Sequence, residues 1–499
     1  MDRLPSFGEC VKSMLDSRDL SIQYAAQLLG MKSATSLARM LHNEVNYKTL
    51  EKFYQSLKHN QQIALTEEEA MHMEQALEIE RIGQEQYLAH RVLWQLLLTN
   101  QKEDESDITV EVFCSTGTQH HYSFSKVLEQ YYQCSELELY ITGCCHHAIL
   151  KALYPLANHA HIQCRITHFL HNVENSPHVL LSGLASIRSF LTLQNYTAYI
   201  ADHRVLSPEG AALYNCNQIL CSFIDAHGKK RMHHFTLVAA NRLLLIEYRN
   251  PTPFRFQLAR LEYYLPHLPP IKSQFPPRIK RDDYIRFADL YRKLELDRTF
   301  YCIKPDVPFS FIHPDILLSA TQKGMDDTGY APLHEISAVL QQLYDIHARR
   351  WKNIYTKKKV SHTVLSIPAM QAFVQTGMLT DHFFVLRPYT PSERRKILAH
   401  IRRHMQENPY FNVYFAKGDA IPFQLEITSF GNAGVLLAAT HTSYNFSEGH
   451  SEALITQQDF SDTFQDFFLH ELLPRYVLSP RDSMAIMDQW IASLPETDE

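Results

Sequence analysis

Glycine is scarce in this chain, 15 of 499 residues, less than half the usual share of about 7%. The glycine-built signatures are missing with it. There is no GxGxxG, no phosphate loop closing in GK followed by Ser or Thr, and no GxSxG elbow; HExxH is absent too. Each would have carried a known chemistry: pyrophosphate on a helix N-terminus, a strained nucleophile, a zinc pair. Their absence leads to the expectation that the chain is not an enzyme and carries no cofactor. The paired acids Asp282 with Asp283 and Asp326 with Asp327 read as loop and helix caps rather than catalysts.

Long apolar runs are also lacking. None approaches the roughly eighteen residues of a membrane span, and the start MDRLPSFGECVK has no apolar signal core. A cytoplasmic protein without membrane contact is expected. Cysteine is sparse and odd in number, nine in all, with Cys144 and Cys145 adjacent and poorly placed to pair with each other, so reduced thiols are expected. The run Cys144 to His147, CCHH, offers zinc-type ligands, but adjacent side chains diverge and no CxxC or HxxxH pair is expected to supply the other half of a tetrahedral site. No metal is expected.

What is present is the composition of a folded protein, 45% hydrophobic and 11% aromatic with net charge −6, showing no low-complexity stretch and no obvious repeat. The most informative segment is Ser21 to His42, SIQYAAQLLGMKSATSLARMLH. Ile22, Ala25, Ala26 and Leu29 fall at helical spacing, and Gly30 supplies a residue that enters the left-handed region at low cost. Ser33 then caps a second helix, on which Leu37, Met40 and Leu41 share one face. The other face carries Lys32, Thr35, Ser36 and Arg39, short hydrogen-bonding and cationic groups of the kind a helix needs to enter a major groove. Phe7, Val11, Met14 and Leu15 predict a helix before this pair. Leu50, Phe53, Tyr54 and Leu57 predict one after it.

This arrangement resembles the Cro and phage-repressor type of helix-turn-helix domain, the XRE-like family, over about the first sixty residues. The resemblance implies that Ala26 is the small residue where two helices touch, that Gly30 is the turn glycine, and that Leu37 and Leu41 pack the recognition helix. The family spacing places a buried aliphatic at position 36, where this chain has Ser36 followed by Leu37, so its turn is one residue longer. The implied partner is double-stranded DNA, contacted by Lys32, Ser33, Thr35, Ser36, Arg39 and Lys48. Residues 1–60 hold eight Lys and Arg against six Asp and Glu. So weak a basic footprint implies a homodimer on two half-sites.

The expected organisation is a multidomain α/β chain: an all-α helix-turn-helix bundle over 1–62, a linker helix over 63–104, an α/β effector-sensing domain with a partly parallel sheet over 105–265, and an α+β regulatory or oligomerisation domain over 279–499. Thr66 with Glu67 to Glu69 opens the linker helix, which the pattern carries to about Leu98. Strands are expected at Ile108–Cys114, Glu136–Thr142 and Ile162–Phe169, alternating with helices at Phe124–Tyr132 and Ala148–Leu156. Ser207–Ile224 reads as a helix, and His234–Ala239 with Arg242–Tyr248 as a strand pair. Pro266–Arg278 is a proline-rich boundary. Beyond it, helices are expected at Asp282–Leu296, Leu333–Tyr355 and Pro391–Gln406, then three short strands between Phe411 and Thr440, and a final helix at Phe460–Leu473. The strand and helix order from Ile108 to Phe169 also suits a phospholipase-like sandwich, whose nucleophile an HxK signature would carry; no such signature is expected.

In a parallel sheet the carboxyl ends of the strands share one rim. A small polar or anionic effector is therefore expected to bind Thr116, Gly117, Thr142, Gly143 and His146. The sequence thus points to a bacterial DNA-binding transcription regulator with a large C-terminal sensing region. Its rivals are a protein-interaction module with a helical N-terminus, and an enzyme fused to a DNA-binding domain.

Overall fold

The computed structural model describes residues 4–42, 44–97, 109–113, 119–143, 147–171, 176–187, 190, 193, 195–201, 217–239, 242–248, 250–268, 272–274, 292–294, 298–328, 333–379, 387–417, 425–439 and 451–497. The chain is a multidomain α/β protein that divides into two compact units, Met1–Arg91 and Val92–Glu499.

The first unit is helical: α1 (Phe7–Ser17), α2 (Ile22–Leu28), α3 (Ala34–Leu41), α4 (Tyr47–Lys58), α5 (Glu67–Ile82) and the start of α6 (Gln84–Leu97). Side-chain caps begin the first five. Ser6 and Glu9 form a reciprocal box on α1, and Thr66 and Glu69 form another on α5, while Ser21, Ser33 and Asn46 each accept from the amide three residues on. Phe7, Val11, Ala25, Ala26, Leu37, Leu50, Phe53 and Leu57 close a core into which Met73, Ala76 and Leu77 also pack. Gly8 lets α1 cross α3 closely, because a Cβ there would stand 2.0 Å from the Leu41 carbonyl oxygen.

The linker helix expected over 63–104 is a correction. Gly83, at φ 87°, breaks it into α5 and α6. Moreover, α5 belongs to the first unit's core, and Arg18 ties it to α1, its Nη2 donating to Glu69 Oε2 at 2.7 Å and to the Ala64 carbonyl at 2.9 Å.

The second unit holds two mixed sheets. The first has the order β2-β1-β8-β7-β6-β3-β4-β5, from β1 (Thr109–Phe113), β2 (Gln119–Ser123), β3 (Glu136–Thr142), β4 (Gln163–His171), β5 (Tyr196–Ala201), β6 (Gln218–Ile224), β7 (Lys230–Ala239) and β8 (Arg242–Glu247). Helices α7 (Phe124–Leu128), α8 (His147–Ala157), α9 (Pro177–Ser186) and α10 (Pro251–Tyr264) join or follow these strands. The helix expected over Ser207–Ile224 is β6 from Gln218 on. Its run QILCSFI is apolar on both faces because the strand lies at the sheet centre, and a continuous apolar run does not distinguish helix from buried strand.

The second sheet has the order β12-β11-β10-β13-β14-β15-β9, from β9 (Lys272–Gln274), β10 (Phe300–Lys304), β11 (Ser361–Leu365), β12 (Phe411–Phe415), β13 (Leu425–Ser429), β14 (Val435–Ala439) and β15 (Ser451–Ile455). With it go α11 (Pro314–Thr328), α12 (Leu333–Tyr355), α13 (Ile367–Thr376), α14 (Pro391–Glu407) and α15 (Gln458–Asp466). A π-helical turn over Phe467–Leu472, α16 (Leu473–Tyr476) and α17 (Pro480–Ser493) end the described chain, so the helix expected as final is followed by another. Most of Asp282–Leu296 lies outside the described residues.

The two sheets have the same plan, although no repeat is legible in the sequence. In each, three parallel strands joined by helices run outward (β3-β4-β5; β10-β11-β12). The chain then returns to the inner side of the first strand and adds an antiparallel meander (β6-β7-β8; β13-β14-β15) and a helix (α10; α15). Between the sheets, α10 ends at Tyr264, and β9, inside the proline-rich stretch, already pairs with β15 by Lys272.

Candidate functional site

On the first unit, the α2–α3 corner is built as the residue pattern requires. Gly30 has φ 63°, and nothing lies within 4 Å of where its Cβ would be, so the glycine serves backbone conformation rather than space. Leu37 is fully buried while Lys32, Ser33, Thr35 and Arg39 are exposed. The extra turn residue puts Leu37, not Ser36, into the core. Ser36 is half-buried, and its hydroxyl lies 3.1 Å from that of Ser33, whose Oγ also accepts from the Ser36 amide at 3.2 Å. Both serines are thus engaged in the helix cap. Lys48 is exposed in the first turn of α4. Arg39 lies 3.8 Å from Glu44, both about 60% exposed, an ion pair that water and salt screen and that a stronger anion can displace.

The effector rim does not assemble as expected. β1 is parallel to β8, and successive antiparallel steps through β7 and β6 to β3 leave β1 pointing opposite to β3. The carboxyl ends of β1 and β3 therefore lie at opposite edges of the sheet and four strands apart, roughly 19 Å at the usual spacing. Alternating strand and helix predicts a parallel neighbour; pairing of the first strand with the last one overrides it. Thr116, Gly117 and His146 lie outside the described residues. Thr142 and Gly143 do share one place: the Thr142 hydroxyl accepts from the Gln218 amide at 3.2 Å, and the Gly143 amide donates to the Phe169 carbonyl at 2.8 Å. The fully buried His168 pins them, with Nε2 donating to the Gly143 carbonyl and Nδ1 accepting from the Tyr196 hydroxyl, both at 2.9 Å. Burial drops its pKa to about 4. It is a neutral tether.

The equivalent place in the second sheet, where the parallel strands meet the meander, holds a buried ion pair: Lys304 Nζ lies 3.2 Å from Glu426 Oε2. The Thr428 hydroxyl donates to Glu426 Oε1 at 2.9 Å and lies 3.3 Å from the Cys302 sulfur. Burial pushes the Cys302 thiol up to about 12, which leaves it protonated and unreactive at neutral pH. Such junctions are where α/β sheets take ligands, and nothing in the sequence marks this pair, since Lys304 and Glu426 stand 122 positions apart.

Two further expectations need correction. The chain does contain an HxK, His227-Gly228-Lys229, but it is the β6–β7 turn, with the His227 and Lys229 amides donating to Asp225 Oδ1 at 3.0 and 2.9 Å. It is exposed. The other concerns the HxxxH pair, expected to be absent. His400 and His404 stand i, i+4 on α14, a spacing visible in the sequence, and they meet His347 of α12 and His313 around Trp351, with ring centroids 4.0 to 6.3 Å apart. Among the described residues no three His, Cys, Asp or Glu are arranged to hold a metal ion, and no described helix is long and apolar enough to cross a membrane.

No family model and no curated protein matches this chain. Similar solved structures include phosphatidylserine synthase of Haemophilus influenzae, at 10% identity and TM-score 0.25 over 74% of this chain and 90% of that one. Polyphosphate kinase of Porphyromonas gingivalis is similar at 11% identity and TM-score 0.20 over 68% of this chain and 46% of that one. Likenesses this slight carry no argument about function.

Proposed function

We propose that the chain is a DNA-binding transcription regulator whose N-terminal helical unit reads duplex DNA with α3, as a homodimer on two half-sites, under the control of its two C-terminal sheets. One observation carries the reading: α3 is fixed from behind by fully buried Leu37 while Lys32, Thr35 and Arg39 stand outward together, the division that major-groove entry requires. Lys48 adds a phosphate contact at the start of α4. Ser33 and Ser36 position the helix end and approach the backbone at most. Selection of bound duplexes from a random pool by the full-length chain tests this. Recovery of a two-fold repeated sequence, bound with an affinity that falls steeply with salt, is expected; no enrichment, or salt-independent binding to a protein partner instead, would overturn it.

A further inference from the structure

Charge in this chain is not spread evenly. The eleven residues Arg349 to Lys359 hold six Lys and Arg and no acid, in a chain of net charge −6. Arg350 turns inward, its guanidinium 3.3 Å from the centre of the Phe300 ring. Lys352, Lys357 and Lys358 are exposed at the C-terminal turn of α12, and α14 adds exposed Arg403 beside them through the contact of Tyr355 with His404. Glu407 also acts on Tyr355, with the sign opposite to that of Arg403. The neighbouring Arg395 and Arg402 are each neutralised, by Glu496 and Asp488 at 2.9 Å, whereas Lys352 and Lys358 make no ion pair among the described residues.

The ordinary role of such residues is to offset the negative end of a helix. The backbone here goes further. Lys358 closes the turn at φ 54°, the left-handed conformation that glycine adopts without strain and lysine does not. The amides of Thr356 and Lys357 both donate to the Lys352 carbonyl, at 2.9 and 3.2 Å. That wrapping holds the lysines at one end of the helix. Glycine would cap this helix better, so the position gives up backbone ease for a cation, as functional sites do.

We propose that this face, Lys352, Lys357, Lys358 and Arg403, is a second phosphate-binding surface that grips the backbone of the duplex without reading its sequence. The inference rests on the DNA-binding reading above. It supplies the electrostatic term lacking in the first unit, which holds ten Lys and Arg against thirteen Asp and Glu.

The test uses the full-length chain with a selected duplex, a random duplex of equal length and phosphatidylserine vesicles. Lys352→Gln with Lys358→Gln should weaken binding to both duplexes by the same factor and reduce the slope of log affinity against log salt by about 1.8, two phosphate contacts at about 0.9 each. Lys358→Gly should raise the thermal midpoint and still weaken DNA binding, a split that a merely structural lysine would not give. A wild-type chain that binds no duplex overturns the function and this inference together. A chain that binds DNA, loses affinity with Arg39→Ala and is indifferent to the lysine changes overturns this inference alone. Loss of vesicle binding with duplex binding intact overturns it as well, by assigning the face to a lipid surface.

Discussion

Mild acid should unfold the second unit well before the first. Five imidazoles, His168, His233, His234, His347 and His362, are held uncharged in the interior, and burial lowers the pKa of each to about 4. Tyrosine hydroxyls hold four of them at Nδ1: Tyr196 on His168 at 2.9 Å, Tyr131 on His233 at 2.7 Å, Tyr248 on His234 at 3.1 Å and Tyr414 on His362 at 3.0 Å. His347 instead meets the Ser310 carbonyl with Nδ1 at 3.0 Å. An unfolded imidazole titrates near 6.5, so between about pH 6.5 and 4 the unfolded chain binds more protons than the folded one. The stability these groups contribute is whole above about pH 6.5 and is lost as the pH falls toward 4. At pH 5 each accounts for about 2 kcal/mol. Five give a ceiling of about 10 kcal/mol, and halving it for relaxation and water entry still leaves about 5, comparable to the whole stability of an ordinary domain.

The assay is favourable because all three tryptophans, Trp94, Trp351 and Trp490, lie in the second unit, and the Trp351 ring centroid is 4.0 Å from that of His404. Tryptophan emission should report a transition centred near pH 5, with about four protons taken up on unfolding at pH 5.5. The first unit should persist. There Arg18 holds the Glu69 carboxyl at about 2, chiefly by its hydrogen bonds, so that contribution is present above about pH 4.5 and fades only as the pH falls toward 2. Constant emission from pH 7 to 4, or uptake of fewer than one proton, would refute the reasoning.

Three further outcomes follow from single contacts. Arg39→Ala should leave the helical signal unchanged and cost roughly 1 to 3 kcal/mol of binding to the selected duplex; equal affinity in a titration would remove Arg39 from the reading face. Gly8→Ala should destabilise the first unit by about 1 to 3 kcal/mol, since its new methyl must displace the Leu41 carbonyl and α3 with it; a thermal melt that does not move would show that α1 and α3 can part at no cost. Lys304→Met should cost about 3 to 5 kcal/mol by leaving Glu426 buried and unmatched, and the double change with Glu426→Leu should recover most of it; denaturant midpoints for the two single and the double variants decide, and additive losses would contradict the pairing.

Much of the first unit was legible because its signals are local. Ser33 and Thr66 each cap the helix whose start they mark in the sequence, and Leu37 takes the buried place that the extra turn residue assigns to it. What the same reading lost is also physical. Thr66 announces the start of α5, but whether a helix packs on its own unit or spans a gap depends on Met73 and Leu77 meeting Phe7 and Tyr54, partners that no window of sequence contains. Gly83 stood in view, and only its positive φ tells that the helix stops there.

The sheets show the deeper reason. A strand's neighbours are set by pairing across long separations, so β1 could be recognised as a strand from its residues but not placed beside β8 and against the direction of β3. The same blindness concealed the plan that the two sheets share. Among the described residues the first sheet joins its parallel strands with one α-helix each, α8 and α9, where the second uses two, α11 with α12 and α13 with α14. No fixed period survives such insertions, while the order of strand pairing does. At the junction of the two halves of each sheet the chain then places different chemistry on a common frame. The first has a hydroxyl, Thr142, accepting from the Gln218 amide, and the second has Lys304 against Glu426. A buried ion pair costs more to desolvate than a hydroxyl held by an amide. If either junction senses a ligand, the second has the larger electrostatic response to give, because displacing one partner leaves a buried charge, whereas displacing Gln218 leaves only an unmet hydroxyl.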